Sequence, residues 1–375
     1  QLALVEGYKS VNADPTNVSA HRFLADTYAV LPRHEIARVS ELLQSQLLQP
    51  VNLTPLQPRL AESNLFLISS GGPGTASFSE FNPLFTGDGY TIQGTAMGGQ
   101  HDTYGGDAVV AGLAGKVAFS AGYSGFRTDG FRVNGDQQDD IFGVFAQYDF
   151  TVQTSAQAEY RHRDSRRGDL ALRFFETDFF PGERTKAETD MVRAGFRHAF
   201  SPGSIVLGSV IYQDTKTTVT DDQLAEPVTK LTFSKPEKAL TAELQYLFRA
   251  PQFNITAGAG YVDINGHLDT TVDLFIPEPD GPGEFQVQDS ASTDIKHSNV
   301  YVYAYLKQIP NVIITAGVSA DFLDGDSLEL QNKSEVNPKF GVEWNPLPAT
   351  TLRAAVFKVQ KRTLVTDQTL EPTQV

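Results

Sequence analysis

The chain contains no cysteine, which excludes disulfide staples and thiolate chemistry and permits assembly in an oxidising compartment. It has no run of about 18 apolar residues, the length a helix needs to cross a bilayer, so no helical membrane span is expected. Excess positive charge is missing too: 30 Lys and Arg stand against 45 Asp and Glu, a formal net charge of −15. A surface of that sign repels nucleic acid. Catalytic signatures are equally scarce, with no His-Glu-x-x-His, no Gly-x-Ser-x-Gly and no phosphate-binding glycine loop. Gly122-Tyr-Ser-Gly125 merely resembles an esterase elbow and falls inside a predicted strand. No enzyme activity, cofactor or resident metal is expected.

What the chain does have is a rhythm. Segments that alternate apolar and polar residues are joined by tight turns at Phe150-Thr-Val-Gln-Thr-Ser155, Phe200-Ser-Pro-Gly203, Phe248-Arg-Ala-Pro-Gln-Phe253, Leu306-Lys-Gln-Ile-Pro-Asn311 and Trp344-Asn-Pro-Leu-Pro-Ala-Thr350. Between them lie long acidic joints near 128–139, 164–188, 214–237, 264–297 and 321–335. Strict alternation of short and long connections between dyad-patterned strands is the pattern of a transmembrane β-barrel, with short turns in the periplasm and long loops outside. The expected fold is therefore mainly β: an antiparallel transmembrane β-barrel preceded by a small helical segment.

The strand faces support this. Phe142, Val144, Ala146, Tyr148 and Phe150 alternate with residues that include Gln147 and Asp149, and Ala156, Ala158 and Tyr160 alternate with Gln157, Glu159, Arg161 and Arg163. Val192, Ala194, Phe196 and Phe200 alternate with Arg193, Gly195 and Arg197, and Leu240, Ala242, Leu244, Tyr246 and Phe248 with Thr241, Glu243 and Gln245. Period two with one apolar face is a half-buried strand. A soluble sheet would turn that face to a core. A membrane barrel turns it to lipid, and the charges and glycines of the opposite face, with aromatics gathered at the tight turns, favour the barrel. About 13 strands are expected from residue 88 onward. Since single-chain bacterial barrels have even strand numbers, the barrel is expected to be incomplete at the C-terminus, and the missing export signal leads us to expect a true N-terminus upstream.

Three regions follow. Residues 1–50 carry helical periodicity: His21, Leu24, Ala25 and Tyr28 match the first-helix spacing of a tetratricopeptide repeat, Ala37 falls at the small-residue position of its second helix, and a step of about 34 residues back places Ala3 and Pro15 in a preceding repeat. Residues 51–87, with Gly71-Gly-Pro-Gly74 and the apolar run Leu65-Phe-Leu-Ile68, read as a linker or short plug-like segment. Residues 88–375 form the barrel.

On Ala20-His-Arg-Phe-Leu-Ala-Asp26, Pro32-Arg-His-Glu-Ile-Ala-Arg-Val-Ser-Glu-Leu-Leu43, Asn64-Leu-Phe66, residues 190–203 and Leu370-Glu-Pro-Thr-Gln-Val375, the chain resembles bacterial outer-membrane proteins with N-terminal tetratricopeptide repeats and a C-terminal barrel like that of TonB-dependent receptors. The resemblance implies a Gram-negative outer membrane, with the first segment in the periplasm, where it would recruit a protein partner. A transport or export channel is the first functional expectation, for a small molecule or a polysaccharide. A TonB-energised importer is the second and a structural or adhesive surface protein the third. Neither a plug of receptor size nor a TonB box is recognisable in the sequence.

Candidate interior residues follow from the strand parity: Glu159, Arg161, Arg163, Arg193, Arg197, Glu243, Lys339, Glu343 and Arg353. They form either a basic ladder that guides anionic solutes or a network of cross-strand ion pairs, and interleaving of acids and bases favours the network. Tyr301, Tyr303 and Tyr305 would line the interior if Val300 and Val302 face lipid. Asp321, Asp324 and Asp326 are weak candidates for a cation, lacking the spacing of a calcium-binding loop, and solvated acids are the reading preferred for them.

Overall fold

A computed structural model describes residues 2–29, 35–51, 53, 87–171, 175, 178–276, 283–325, 332–347, 349–359 and 368–372. Three helices come first: α1 (Leu2–Ala13), α2 (Val18–Ala29) and α3 (Glu35–Leu48). Thirteen strands follow: β1 (Gly89–Gly98), β2 (Tyr104–Ala114), β3 (Val117–Thr128), β4 (Gln137–Thr151), β5 (Thr154–Arg167), β6 (Arg184–Ser201), β7 (Ser204–Asp221), β8 (Val228–Arg249), β9 (Phe253–Ile276), β10 (Gly283–Leu306), β11 (Val312–Gly325), β12 (Lys333–Leu347) and β13 (Thr350–Phe357). They form one antiparallel sheet in which every strand pairs with its sequence neighbours and β1 and β13 are the outermost.

The apolar face points out. Phe142, Val144, Tyr148, Phe150, Tyr160, Val192, Phe196, Phe200, Leu240 and Leu244 are all exposed, whereas Gln147, Gln157, Arg161, Arg193, Gln245 and Asn254 on the opposite face are buried. A water-soluble sheet has the reverse distribution, because exposing large apolar side chains to water costs about 25 cal/mol per Å². Aromatics bound this outer band at both ends. Tyr148, Phe150, Phe200 and Trp344 lie by the tight turns, and Tyr123, Tyr160 and Tyr212 lie toward the long joints. From Phe150 to Phe142 is about 26 Å along the strand at ~3.3 Å per residue. A tilt of roughly 40° turns this into about 20 Å of height, close to the ~25 Å band of outer-membrane barrels.

The long joints are shorter than the sequence pattern suggests. The segments expected as loops over 214–237 and 264–297 are largely strand, and β9 and β10 each run 24 residues, about 79 Å of extended chain where some 10 residues suffice to cross. Their continuous pairing, from Gly283 opposite Ile276 to Leu306 opposite Phe253, closes a backbone ladder well beyond the apolar band. Thr- and Val-rich composition such as Thr270-Thr-Val-Asp273 suits a strand solvated on both faces.

The helices lie against the polar, inward face. Contacts to them and to residues 49–53 come from strands as far apart as β2 and β13. Laid flat, that stretch of sheet would be about 53 Å wide at ~4.8 Å per strand. Helices α1 and α3 are only about 18 and 21 Å long, so the sheet wraps around them.

Helix α2 starts at Asn17, whose side chain accepts the Ala20 N–H at 3.1 Å as an N-cap. Leu24, Tyr28 and Ala37 form a core with Leu4, Tyr8 and Val11, the last three spaced to share one face of α1. This corrects the repeat register proposed for residues before α2. Ala3 is exposed, and the close-packing position is Gly7, where an added Cβ would lie 2.6 Å from Leu24 Cδ2. The three helices do not show a tetratricopeptide array. The apolar run 65–68 and most of the linker lie outside the described residues.

Candidate functional site in the barrel interior

Three tiers of the chain's own residues fill the interior face. At the tight-turn end, the α1–α2 corner is pinned to the strand ends. Asp14 pairs with Arg249, Asn254 donates to the Asn12 carbonyl at 2.5 Å, and the Lys307 ammonium donates to the Ala13 carbonyl at 2.9 Å. Across the corner, Lys9 reaches Thr351 at 2.9 Å and Arg353 reaches the Val5 carbonyl at 3.5 Å.

The second tier is α3. Leu43, Leu47 and Leu48 pack on Ala199, Ile205, Leu207 and Leu247, apolar side chains on the otherwise polar inward face. Polar contacts flank this core: Arg193 donates to Gln46 Oε1 at 2.5 Å, and Gln147 Nε2 donates to the carbonyls of Gln49 and Pro50, each at 2.8 Å. Val51 and Leu53 continue the contact onto Ala111, Leu113 and Ala118.

The third tier is a short strap, residues 368–372, which lies in the interior between α3 and β8–β10. Gln368, Thr369, Leu370 and Glu371 are all buried. Glu243 accepts both the Leu370 N–H at 2.7 Å and the Thr369 hydroxyl at 2.6 Å, and the Thr369 N–H donates to Ser40 Oγ at 3.1 Å. The Leu370 carbonyl accepts from Gln44 at 3.2 Å and from Gln245. The Glu371 carboxylate accepts from Asn299 at 2.8 Å and from the Tyr303 hydroxyl at 2.5 Å. Backbone groups of the strap thus find partners on wall and helix alike, as buried main-chain groups must.

The inward charges predicted from strand parity sort into this framework. Glu159 pairs with its cross-strand partner Arg193 and with Arg161 at 3.5 Å, and Glu343 pairs with its cross-strand partner Arg353 at 2.5 Å. Glu243 is spent on the strap. Lys339 sits over the Tyr303 ring, 4.8 Å from its centroid, and donates to its hydroxyl at 2.8 Å. Arg163 donates to Thr189 at 3.3 Å and Arg197 to the Gln153 carbonyl at 3.4 Å. They do not make one continuous basic ladder: acids and amides separate them.

Tyr301, Tyr303 and Tyr305 face inward and are buried, while Val300 and Val302 are about half exposed. Tyr303 lies across Gly317 on the facing strand, where an added Cβ would meet its ring at 2.2 Å. These rings are occupied in packing and in holding Glu371. Asp321 is also engaged, accepting from His297 at 3.0 Å and from Asn337 at 2.7 Å. Asp324 belongs to β11, Asp326 lies outside the described residues, and no group of three metal-ligating side chains occurs among the described residues. Ser124 of the esterase-like segment sits in β3.

Within the helical unit, His21 is buried between Glu41, at 2.5 Å from Nδ1, and the Pro15 carbonyl, at 2.8 Å from Nε2. Burial by itself would hold the imidazole pKa down, but the Glu41 carboxylate and the Pro15 carbonyl overcome it, and the pKa rises above its ordinary value. Both acceptors are satisfied only by the doubly protonated ring.

Sequence reasoning missed Ser40, Gln44, Gln46, Gln245, Asn299 and the strap itself. The strand pattern marked Gln245 as inward but carried no sign of what it would meet, and no periodicity marks a five-residue segment without regular structure.

No protein-family model matches the chain, and no curated protein matches it. Its fold does match solved structures. The copper transporter OprC aligns with a TM-score of 0.59 at 10% identity over 72% of this chain and 45% of its own. The siderophore receptor PiuA from Acinetobacter baumannii aligns with a TM-score of 0.54 at 10% identity over 70% of this chain and 48% of its own. For the ferric yersiniabactin uptake receptor FyuA from Yersinia pestis the values are 0.54, 13%, 70% and 45%. The chain spans less than half the length of these receptors. The fold it shares with them is that of an outer-membrane β-barrel, and the outward apolar band puts the sheet in that membrane.

Proposed function

We propose that the chain forms the wall and internal closure of a gated outer-membrane transporter of the TonB-dependent receptor type, taking up a small solute. The observation that carries this reading is the interior: α3 and the strap cover the polar face, and α1 and α2 close on its tight-turn end. An open porin or a polymer-export channel needs a free aqueous lumen, whereas a receptor keeps its barrel shut until cargo and partner act. The named cargoes of the similar structures, copper and ferric yersiniabactin, make metal complexes the first solutes to try. In this reading residues 1–50 face the periplasm, where the exposed side of α1 is available to a protein partner. Residues 51–87 link them to the barrel, and the interior ion pairs hold the closed state.

Single-channel recording of the full protein in planar bilayers tests this. We expect negligible conductance at rest and defined openings when the strap contact is weakened by Leu370→Ala. Steady porin-like conductance of the unmodified protein would overturn gating. Closure of both proteins under all conditions would favour a purely structural role.

A further inference from the structure

Near the tight-turn end, register carries one inward row across four strands. Tyr305 of β10 faces Thr315 of β11, which faces Gly341 of β12, which faces Ala355 of β13. The side chains shrink from tyrosine to glycine and alanine along the row, and the wall is hollow at its small end. Tyr8 and Asn12 of α1 complete a cavity there of about 210 Å³. Its rim toward the turns is the Glu343–Arg353 pair of the next inward row.

Packing does not require this hollow. A Cβ added at Gly341 would meet Thr315 Cβ and the Ala354 carbonyl oxygen at 3.7 Å each, ordinary contact distances, whereas one added at Gly317 would strike the Tyr303 ring at 2.2 Å. Gly341 has no left-handed φ either, so neither its neighbours nor its backbone call for glycine. The polar groups that face the space are short of partners. Tyr305 is only 6% exposed, yet its hydroxyl has no hydrogen-bond partner among the described residues, and the same holds for the Thr315 hydroxyl and the Asn12 side-chain amide. A buried hydroxyl left unpaired is costly. Whatever enters the cavity must supply its partner.

The lining selects against ions. Glu343 and Arg353 cancel, and the second carboxylate oxygen already accepts from Asn345 at 3.4 Å, so no uncompensated charge is left to hold a charged ligand. Tyr305, Thr315 and Asn12 can each both donate and accept, as hydroxyl groups do. The Tyr8 and Tyr305 rings give apolar surface for C–H groups between those hydroxyls. The volume falls below the ~300 Å³ of the smallest drug-sized pockets, which suits a single sugar ring or a shorter polyol. We propose that this cavity binds one neutral, polyhydroxylated small molecule, no larger than a monosaccharide, between α1 and β10–β13. The inference does not rest on the transport reading, since the hollow belongs to the wall and α1 whether or not solute crosses.

Saturation-transfer NMR on the full protein tests it, in an amine-oxide detergent whose headgroup carries no sugar. Glycerol, glucose and inositol serve as neutral probes, and glucosamine and glucose phosphate as charged ones. We expect saturable binding of at least one neutral probe. It should weaken roughly tenfold or more in Gly341→Val, whose side chain occupies the space, and about fivefold in Tyr305→Phe, which removes one neutral hydrogen bond. Ala316→Val, on the lipid-facing side of β11, should bind as the unmodified protein does. No saturable binding of any neutral probe overturns the proposal by leaving the cavity to water. Unchanged binding in Gly341→Val or in Tyr305→Phe overturns it by putting the binding elsewhere, and so does tighter binding of either charged probe than of glucose. If Gly341→Val loses the heat-modifiable mobility of a folded barrel, Gly341→Ala and Tyr305→Phe decide, with unchanged affinity in either refuting. Conductance plays no part in this readout, so a failure here is distinct from a failure of the gating reading.

Discussion

Leu370→Ala is the most informative single change in this protein. Leu370 is fully buried among Leu43, Leu47, Leu207 and Leu247, so truncation removes the strap's one large apolar anchor. Core Leu→Ala substitutions cost about 2–5 kcal/mol. A middle value near ~3 kcal/mol corresponds to roughly a 150-fold shift in the docked-to-undocked ratio of the strap. The strap's hydrogen bonds are unaltered in kind, because the amide at position 370 still faces Glu243. Its opening should therefore rise while the wall stays intact. Hydrogen exchange read by mass spectrometry resolves the two: strap amides, protected in the unmodified protein by Glu243 and Ser40 Oγ, should exchange about 100-fold faster in the variant, and amides of β6 and β7 should not change. Glu243→Gln, which keeps a neutral acceptor but loses the charge, should give a smaller acceleration, about fivefold, since hydrogen bonds to charged groups exceed neutral ones by about 1 kcal/mol. A strap that exchanges at the unprotected rate in the unmodified protein would refute the reasoning, as would a variant with unchanged rates.

Three further outcomes follow from the same geometry. Because the His21 pKa is raised in the folded state, its contribution is complete below about pH 6.5, the unfolded value, and is lost as pH climbs through the raised folded value; urea unfolding of α1–α3 followed by exchange should show stability falling on the alkaline side, and His21→Leu should flatten the profile, whereas stability that rises with pH would contradict the pairing. Leu244→Arg on the outer band should cost about 2–4 kcal/mol, the penalty for a midplane charge on a barrel's lipid face, seen as a lower urea midpoint in lipid vesicles, and an unchanged midpoint would mean that this face does not meet hydrocarbon. Arg193→Met removes the nearer partner of Glu159 and leaves it only Arg161 at 3.5 Å, which should destabilise by up to about 3 kcal/mol, while Arg193→Met combined with Glu159→Leu should recover most of it; a double variant as damaged as the single would show that the pair is not the cause.

The sheet was legible because its information is local. A period of two read along Phe142 to Phe150 or Leu240 to Phe248 assigns each side chain to a face, and Pro- and Gly-bearing turns such as Ser201-Pro-Gly203 set where strands reverse. Thirteen strands and their order follow from that reading alone. The joints were misread in length, since polar Thr- and Asp-rich segments look like loops when water lies on both sides, yet pair over 24 residues in β9 and β10. The helices were legible in position, but the repeat register placed Ala3 where the packing uses Gly7, because a spacing of about 34 residues was carried backward past the turn at Pro15, and Gly7 is the point of close approach to Leu24.

What the sequence by itself determined is therefore the wall: strand number, strand faces, the outward apolar band and the inward charges, each set by alternation between neighbours a few residues apart. What only the tertiary structure decided is the state of the interior. That Glu243 would meet the Leu370 amide, Gln46 would meet Arg193 and Tyr303 would hold Glu371 depends on residues from 68 to 147 positions apart, brought together by the curvature of the sheet. A buried amide or carboxylate must find a partner wherever the fold supplies one. Strand parity gives its direction, and the curved sheet around α3 and the strap gives the partner.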